Sequence, residues 1–593
     1  MHDRTARAIA DQVNSGARSA ATIVLETLER AAAYDAIQPE AWISRLPAEQ
    51  VLERARVIDQ RIAAGTSLPL AGVPVAVKDN IDVAGAQTTA ACPVFAYRPS
   101  TSAHVIERLL AAGAVVMGKT NLDQFATGLV GTRSPYGSPG CVFNREYVSG
   151  GSSSGSAVLV AAGVVPLALG SDTAGSGRVP AAFNNLVGFK PTRGRWSSRG
   201  LVPACRSLDC ITVFTLDAED AALVDSIAAD FDRRDPYARR PGPSGGFGLP
   251  AHFNFGVPRP DQLRDLPPPD AALYSAALER LQAAGGSAVE IDVAPLLEAA
   301  RLLYSGPWVA ERTAMLESLL KTNPTAIHPV VRAIAEAGRG ISAVDAFRGQ
   351  YTLQEYARCA EEIWDSIDVL VLPTTPTIYR RSEVLAEPVA LNAHLGRYTN
   401  FVNLLDMSAI SIPAGFRTNG TGVGVSLIGP AWSDSSLLQL ATRYAQVREM
   451  PAPPALDGAP RQPVVQLAVV GAHLSGMPLN WQLTSRKARL VRATRTAAAY
   501  RLYAMAGQTP PKPALVHVGP DGGSIELEIY EIDVCAFGEF VAEVPAPLAI
   551  GTVTLEDGTT VRGFVAEPRA LSGALDITTH GGWRSYLSTR AQP

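Results

Sequence analysis

Residues 150–192 of the chain read GGSSSGSAVLVAAGVVPLALGSDTAGSGRVPAAFNNLVGFKPT. The stretch sets one glycine- and serine-rich loop before an apolar segment and a second such loop after it, without a histidine. The apolar segment predicts a buried helix followed by a strand that ends at Gly170 and presents the second loop. A serine nucleophile in these loops must therefore pass its proton to a group other than histidine.

The candidate proton acceptor is Lys78, in residues 71–82, which read AGVPVAVKDNID. The run is short and apolar, as expected of a strand that carries the lysine at its end. Burial disfavours the charged form of an amine, and only the neutral amine accepts a proton from a hydroxyl. We therefore expect Ser176 to act as the nucleophile, Ser152 as a proton relay and Lys78 as the base. We also expect a cis peptide bond between Gly151 and Ser152.

Each of these features alone has an ordinary structural explanation. Glycine- and serine-rich loops are usually connectors, and a lysine at a strand end usually lies in solvent, where it discourages the association of sheet edges. The three residues in this order and at this spacing favour a catalytic site. Asp172 and Arg178 flank the nucleophile, and we expect them to brace its loop as a salt bridge. Ser153, Ser154 and Ser171 are further hydrogen-bonding candidates for the relay.

The spacing of Lys78, Ser152 and Ser176, with the motifs GGSSSGS, GSDTAGSGR and GFKPTRG, resembles the amidase signature family up to about residue 450. Members of that family hydrolyse or transfer amides through a serine, a second serine in a cis peptide and a lysine. The resemblance implies an acyl-enzyme on Ser176. Gly128, in the segment QFATGLVG, resembles part of the loop that lines the acyl pocket. The implied oxyanion hole consists of the backbone amides of Thr173, Ala174, Gly175 and Ser176.

A finer resemblance concerns the substrate. The segment YSGPWVAER at residues 304–312, the segment KDNIDVAGAQTTAACP at residues 78–93 and an extension from about residue 465 are similar to the allophanate hydrolases within that family. The likeness implies that Tyr304 and Arg312 bind the carboxylate of allophanate. It also implies release of ammonia and N-carboxycarbamate, which decays to carbon dioxide and further ammonia. An arginine on a helix is otherwise most often a surface residue.

Strand-like apolar runs alternate with helical stretches over residues 1–450, which predicts an α/β fold with a mixed central sheet covered by helices. Residues 5–65 predict amphipathic helices. Sheets of this kind carry sites where loops leave the strands, and we expect the loops after Leu372 and Ser411 to close the pocket. The predicted site domain is therefore residues 1–450.

The rest of the chain predicts a linker and a second domain. Residues 451–464 are rich in proline, as linkers often are. Residues 465–593 predict a smaller, barrel-like α+β domain, with residues 537–544 among its strands and a hairpin at residues 557–558. Residues 469–483 resemble the start of the gamma-glutamyl cyclotransferase-like fold. His473 lies there and either promotes decarboxylation of the first product or is a hydrogen-bonded structural residue.

Composition restricts the partners and the location. The net charge of -4 and the pI of about 6.1 give no basic surface for nucleic acid. The longest apolar run, residues 157–169, is shorter than the ~20 residues of a membrane helix. The first residues lack the apolar core of a secretory signal, and six cysteines without paired spacing predict reduced thiols. We expect a cytoplasmic protein, and its amphipathic N-terminal helices or second domain would suit a homodimer.

Neither a cofactor nor a metal is expected. The sequence has no biotin-attachment motif of the Ala-Met-Lys-Met type and no phosphate-binding P-loop, and its histidines lack metal-ligand spacing. A separate urea carboxylase would supply the substrate. Two other functions stay open. One is an amidase of the same mechanism that acts on neutral or malonamide-like amides, and the other is an ammonia-supplying amidotransferase subunit.

Overall fold

The chain divides into two units, Met1–Gly458 and Ala459–Pro593. The structure is a computed structural model that describes residues 4–241, 249–447, 454, 456–457, 464–486 and 488–590. The predicted linker at residues 451–464 lies largely outside the described residues.

The first unit contains helices and strands in alternation. Its helices are α1 (Ala6–Asn14), α2 (Ala20–Asp35), α3 (Ala48–Ala63), α4 (His104–Ala111), α5 (Ser154–Ala161), α6 (Val179–Phe183), α7 (Ala218–Ala228), α8 (Pro268–Ala283), α9 (Ala294–Ser305), α10 (Trp308–Thr322), α11 (Pro329–Ala337), α12 (Ala343–Trp364), α13 (Arg381–Ala386), α14 (Ala390–Leu395), α15 (Asn400–Leu404) and α16 (Asp434–Val447). Its strands are β1 (Trp42–Arg45), β2 (Pro74–Lys78), β3 (Val115–Thr120), β4 (Gly140–Cys141), β5 (Asn144–Val148), β6 (Leu167–Asp172), β7 (Val187–Lys190), β8 (Cys210–Thr215), β9 (Phe253–Pro258), β10 (Gly286–Ile291), β11 (Val369–Pro373), β12 (Ser408–Phe416) and β13 (Gly422–Gly429).

One mixed sheet forms the centre of this unit, in the strand order β1-β3-β2-β6-β8-β7-β12-β13-β11-β9-β10. The pairs β2–β3, β2–β6, β9–β10 and β9–β11 are parallel, and the other pairs are antiparallel. The central strands β2, β3, β6 and β8 are buried along their whole length, as expected of a sheet with helices on both faces. The predicted α/β fold with a mixed central sheet is confirmed.

The parallel pairing of β2 with β3 and β6 assembles the site. Val75 pairs with Leu167 and Val77 with Leu169, so both strands end at the same edge of the sheet. Because the carboxyl ends of parallel strands meet, Lys78 at the end of β2 lies beside the end of β6 and the loop that follows it. This confirms that Lys78 ends one strand. The strand predicted to stop at Gly170 continues to the end of β6 at Asp172.

Helix α5 begins directly after the first glycine loop. Its Gly155 approaches the backbone of Ala41 so closely that an added Cβ would lie 2.1 Å from the Ala41 carbonyl oxygen. The amide of Gly155 donates to the Asn121 carbonyl oxygen at 3.0 Å. This contact fixes the position at which α5 presents Ser152 to the end of β2.

Two details of the first unit differ from the sequence analysis. The N-terminal segment forms helices α1 to α3 as expected, but the short strand β1 separates α2 from α3 and pairs with β3. Four residues are too few to show an alternating pattern. Ser411 lies inside β12, where its hydroxyl is 3.0 Å from the hydroxyl of Thr374, so it does not end a strand.

The second unit is an α+β structure with its own core. Its strands are β14 (Val464–Val469), β15 (Arg489–Arg495), β16 (Tyr500–Ala504), β17 (Pro513–His517), β18 (Glu526–Asp533), β19 (Leu548–Thr554), β20 (Thr560–Ala566) and β21 (Leu575–Asp576), and its helices are α17 (Trp481–Thr484), α18 (Val534–Ala542) and α19 (Trp583–Arg590). Five strands form a sheet in the order β15-β18-β14-β20-β19, and an antiparallel bridge between Thr496 and Leu555 joins its two edges at one end.

The predicted hairpin at Asp557–Gly558 joins β19 to β20, with Thr554 paired to Thr560. Residues 537–544, predicted as a strand, instead belong mostly to helix α18. Apolar residues recur there at helical spacing, and Phe540 packs into the core of this unit. In residues 537–544 the spacing of the apolar residues indicates the helix, whereas their aromatic and β-branched content is typical of a strand.

Within the described residues, no helix is long and apolar enough to cross a lipid bilayer. The cysteines whose side chains the structure describes are free thiols: Cys92, Cys141, Cys205, Cys210 and Cys359. The sixth, Cys535, lies outside the described side chains.

Replacing Gly155 by alanine tests the close approach of α5. In an open helix this change stabilises by up to about 1 kcal/mol. Here the added Cβ must displace backbone, so we expect a loss of about 2 kcal/mol or more in the free energy of unfolding, measured by denaturant titration. Gly340→Ala is the control, because no atom lies within 4 Å of a Cβ built there. Equal stability of the two variants would contradict this packing.

Candidate active site

Lys78 and Ser152 are in contact at the edge of the central sheet. The Lys78 Nζ atom lies 2.7 Å from Ser152 Oγ, and both residues are fully buried. The peptide bond between Gly151 and Ser152 is cis. The structure thus brings together two of the three residues expected in the proton path, one from the end of β2 and one from the loop before α5.

A second serine also holds the lysine. Lys78 Nζ lies 2.8 Å from the hydroxyl of Ser171, which also accepts a hydrogen bond from the side-chain amide of Asn80 at 3.1 Å. Burial lowers the pKa of Lys78 to about 7, against the opposing effect of the carboxylates of Asp123, Asp209 and Asp172. A large fraction of this amine is therefore uncharged near neutral pH.

The loop of residues 173–178 carries Ser176, the proposed nucleophile, and is called the nucleophile loop. It is built around one buried ion pair. Arg178 donates two hydrogen bonds to the carboxylate of Asp172, each 2.9 Å long, and both side chains are fully buried. The same carboxylate accepts from the amides of Gly175 at 2.8 Å and Gly177 at 3.0 Å. Although burial opposes it, the guanidinium and these amides hold the pKa of Asp172 below its usual value. The predicted bracing of the loop by this pair is confirmed.

The same hydrogen bonds reduce the number of backbone amides that could form the predicted oxyanion hole. Because the amide of Gly175 is already bonded to Asp172, it does not face a substrate. The remaining candidate donors are the amides of Thr173, Ala174 and Ser176. The hydroxyl of Ser176 donates to the carbonyl oxygen of Gly128 at 3.3 Å. In this resting arrangement its proton therefore points at the neighbouring loop.

The start of α15, more than 220 residues further along the chain, is hydrogen bonded to the nucleophile loop. The Thr399 hydroxyl donates to the Ala174 carbonyl oxygen at 2.6 Å, and the Asn403 side-chain amide donates to the Asp172 carbonyl oxygen at 2.8 Å. Asn403 also accepts from Arg178 at 3.2 Å. No local motif links the start of α15 to this loop, so the sequence does not reveal these hydrogen bonds.

The loop of residues 124–131 lies on the other side of Ser176. Phe125 and Ala126 adopt positive φ angles of 51° and 53°, a conformation that costs side-chain-bearing residues of order 1–3 kcal/mol each. Gly128 has its φ at 158°, and a Cβ there would lie 2.5 Å from the carboxylate of Asp123. The loop is therefore held in one arrangement, with the Gly128 carbonyl directed at the nucleophile.

Arg312 is a buried cation beside this loop. Its guanidinium donates to the hydroxyl of Thr127 at 3.0 Å and lies 5.3 Å from the ring centre of Tyr304. The residue is only 2% exposed. Among the described residues, no carboxylate lies within 4.0 Å of this guanidinium. The structure thus places Gly128 against Ser176, and Arg312 against Thr127 and Tyr304.

Asp209 links the nucleophile loop to this region and was also missed from the sequence. Its carboxylate accepts hydrogen bonds from the Thr173 hydroxyl and from the amide of Ala204 at 2.6 Å. Burial raises the pKa of Asp209 to about 6, against those hydrogen bonds and the charge of Arg312. Its position before β8 is the one signal in the sequence that could have identified it.

In the second unit, His473 lines a cavity of about 280 Å³ together with Lys512, Glu543 and other residues. Its ring stacks on Phe564 with centres 5.0 Å apart, and its Nε2 atom lies 2.8 Å from Gln482 Oε1. Burial lowers the pKa of His473, so the ring is neutral near pH 7.

Each of the two units matches a known protein family. Residues 22–438 match the Amidase family profile, and residues 465–588 match that of the allophanate hydrolase C-terminal domain. The urea amidolyase of Saccharomyces cerevisiae is 44% identical over 92% of this chain. The chain spans only 31% of the length of that relative.

Two further proteins are similar to this chain, one over about two thirds of its length and the other over nearly all of it. A glutamyl-tRNA(Gln) amidotransferase subunit from Symbiobacterium thermophilum is 37% identical over 68% of this chain and 88% of its own length. The structure of a selenomethionine-substituted allophanate hydrolase from Kluyveromyces lactis superposes with a TM-score of 0.68, 42% identity and 98% coverage of both chains.

Proposed function

Since the chain belongs to the amidase family and is an amidohydrolase, we propose that it hydrolyses allophanate through Ser176, Ser152 and Lys78. The observation that carries this proposal is the buried guanidinium of Arg312 without a carboxylate in contact. Allophanate is a small amide with one carboxylate, which would supply the missing charge. Relatives named for urea and allophanate chemistry match both units of the chain.

Proton transfer starts from the uncharged amine of Lys78. The Ser176 hydroxyl turns from Gly128 towards Ser152 and gives up its proton, while Ser152 passes its own proton to Lys78 Nζ. The Ser176 oxygen forms a bond to the amide carbon of the substrate. The tetrahedral intermediate carries a negative oxygen, which the amides of Thr173, Ala174 and Ser176 are placed to stabilise.

The carbon–nitrogen bond then breaks, and the proton held on Lys78 returns through Ser152 to the leaving nitrogen as ammonia. Water attacks the acyl group on Ser176 by the same proton path, which releases N-carboxycarbamate and restores the serine. No step consumes a cofactor, because the bonds are exchanged by proton transfer and acyl transfer alone.

Arg312 explains the choice of substrate. Its planar guanidinium can grip a carboxylate through two parallel hydrogen bonds, and the ring of Tyr304 holds it in place. A neutral amide would leave this cation buried without a partner, which costs several kcal/mol. An enzyme for neutral amides, or a subunit that only supplies ammonia, gives no reason for this charge. The match of residues 465–588 to an allophanate hydrolase domain also favours the first function.

Ammonia release from allophanate, biuret and malonamide tests this function. We expect the wild-type protein to prefer allophanate and Ser176→Ala to lose activity on all three. In Arg312→Ala, the KM for allophanate should rise about hundredfold, because a buried ion pair is worth roughly 3 kcal/mol or more. Activity on malonamide should change little.

Arg348→Ala is the control, because Arg348 lies exposed on α12. Unchanged allophanate kinetics in Arg312→Ala would contradict the proposed role of Arg312. A wild-type preference for neutral amides would contradict the substrate itself.

We propose in addition that the second unit promotes decarboxylation of N-carboxycarbamate at His473. The cavity there is lined by Lys512, whose charge suits an anionic ligand, and by Glu543, whose charge is offset by Arg486 at 2.6 Å. His473 can hydrogen bond to such a ligand. In this reaction the nitrogen of the ligand gains one proton, its bond to one carboxyl carbon breaks, and carbon dioxide leaves. The competing role for His473 is structural, through Gln482 and Phe564.

The ratio of carbon dioxide to ammonia release in the full chain separates these roles. His473→Asn keeps a hydrogen-bonding group, and Lys512→Met removes the charge. If the cavity acts in catalysis, both variants should delay carbon dioxide release by about tenfold or more while the first ammonia appears at the wild-type rate. Simultaneous release in both variants would leave His473 with a structural role only.

We further propose that the protein works in the cytoplasm as a homodimer, alongside a urea carboxylase that supplies its substrate in urea degradation. The free cysteines suit a reducing compartment. In α1, the apolar residues Ile9 and Val13 are in the core and are not available to a partner. Instead, α12 exposes Val344, Phe347 and Tyr351 at helical spacing.

Sedimentation equilibrium tests the dimer. The wild-type mass should be twice 62.5 kDa, and Phe347→Asp should reduce it to that of the monomer, since a buried charge opposes an apolar contact. The matched control is Leu385→Asp, at another exposed apolar side chain. A monomeric wild-type protein would refute the proposal.

A further inference from the structure

The carboxylate of Asp123 is fully buried and has no part in the steps above. It accepts hydrogen bonds from the backbone amides of Val130 at 3.2 Å, Gly131 at 3.0 Å and Arg133 at 2.9 Å. Within the described part of the chain, no lysine, arginine or histidine nitrogen lies within 4.0 Å of it. Asp123 is thus a buried negative charge without a cation in contact.

This charge lies against the proton relay. The backbone amide of Asp123 donates to the carbonyl oxygen of Ser152 at 3.1 Å. A Cβ built on Gly151 would lie 2.1 Å from Asp123 Oδ2, so the carboxylate packs directly on the peptide that carries Ser152. The hydroxyl of that serine is 2.7 Å from Lys78 Nζ. Of the charges that act on Lys78, that of Asp123 raises its pKa the most.

Two of the other acidic groups near Lys78 are paired with a cation, and a third is held by neutral hydrogen-bond donors. Asp172 is neutralised by two hydrogen bonds from Arg178. Burial raises the pKa of Asp209 to about 6, and its carboxylate is bonded to Thr173 and to backbone amides. Asp79, next to Lys78, is paired with the buried Lys119 at 3.1 Å. Asp123 is therefore a negative charge near the base that has no cation in contact, although the guanidinium of Arg133 and the ring of His328 lie close enough to be influenced by it.

We propose that Asp123 is a positioning residue that provides the counter-charge for the ammonium formed on Lys78 when the proton arrives from Ser176 through Ser152. The inference rests on the proposed function, because it assumes that Lys78 is the base. A fixed charge placed where charge develops needs no reorganisation during the reaction, and in a dry site it acts at close to full strength. Asp123 also orders the loop of residues 124–131, so an experiment must separate its charge from its hydrogen bonds.

Asp123→Asn removes the charge and keeps the size, but its amide nitrogen cannot accept the hydrogen bond from the Arg133 amide, so the position of the acid limb and not the rate alone reports on the charge. Without the carboxylate the ammonium form of Lys78 is less favoured, so the pKa of Lys78 falls. Because catalysis needs the neutral amine, the acid limb of kcat/KM should move from about pH 7 to lower pH by about one unit or more. At the plateau, kcat should fall about tenfold or more. Asp123→Glu keeps the charge, so its acid limb should stay at or above that of the wild-type protein.

Asp220→Asn is the matched control, because Asp220 is also fully buried and accepts from the backbone amides of Ala6 and Arg7. Its acid limb should not move. An unmoved acid limb in a folded Asp123→Asn protein would overturn the inference and leave Asp123 with a structural role. If that variant does not fold, an acid limb of Asp123→Glu below that of the wild-type protein overturns it. A wild-type protein without an acid limb near pH 7 would instead refute Lys78 as the base.

Discussion

The removal of the Lys78 amine from water is the constraint on which the rest of the site depends. Lowering its pKa from 10.5 to about 7 corresponds to a preference of about 5 kcal/mol for the uncharged form, relative to an amine in solvent. The fold imposes this by ending β2 inside a sheet buried on both faces. The parallel partner β6 then delivers the nucleophile loop to the same edge. The positions of the proposed base and of the proposed nucleophile thus depend on one pairing of strands.

Two buried ion pairs offset the cost of burying charged side chains near Lys78. Asp172 and Arg178 neutralise each other beneath the nucleophile loop, and Asp79 and Lys119 do so beside the base. Asp123 next to the proposed relay and Arg312 beside the loop of residues 124–131 are among the buried charges that have no oppositely charged group in contact. In the proposed reaction, Asp123 would stabilise Lys78 when that amine becomes charged, and Arg312 would bind the carboxylate of an anionic substrate. The proposed chemistry therefore follows from where charge is left uncompensated.

Much of this arrangement can be predicted from local sequence, and some of it cannot. The strand ending at Lys78, the helix after Ser152 and the ion pair of Asp172 with Arg178 all follow from short segments with clear patterns. Thr399 and Asn403 reach the nucleophile loop only through the folding of distant segments, so no spacing could reveal them. Asp123 was missed because it lies three residues beyond β3, in a loop whose course the sequence does not show, so its packing against the peptide of Gly151 and Ser152 could not be predicted.

Direct titration of Lys78 tests the central claim. The chain has six lysines, so labelling with ¹³Cε-lysine gives few NMR signals, and Lys78→Met identifies the one that belongs to this residue. The account predicts that this signal titrates near pH 7 in the free protein, while exposed lysines titrate near pH 10.4. A signal that shows a charged amine up to pH 9 or beyond would contradict the account.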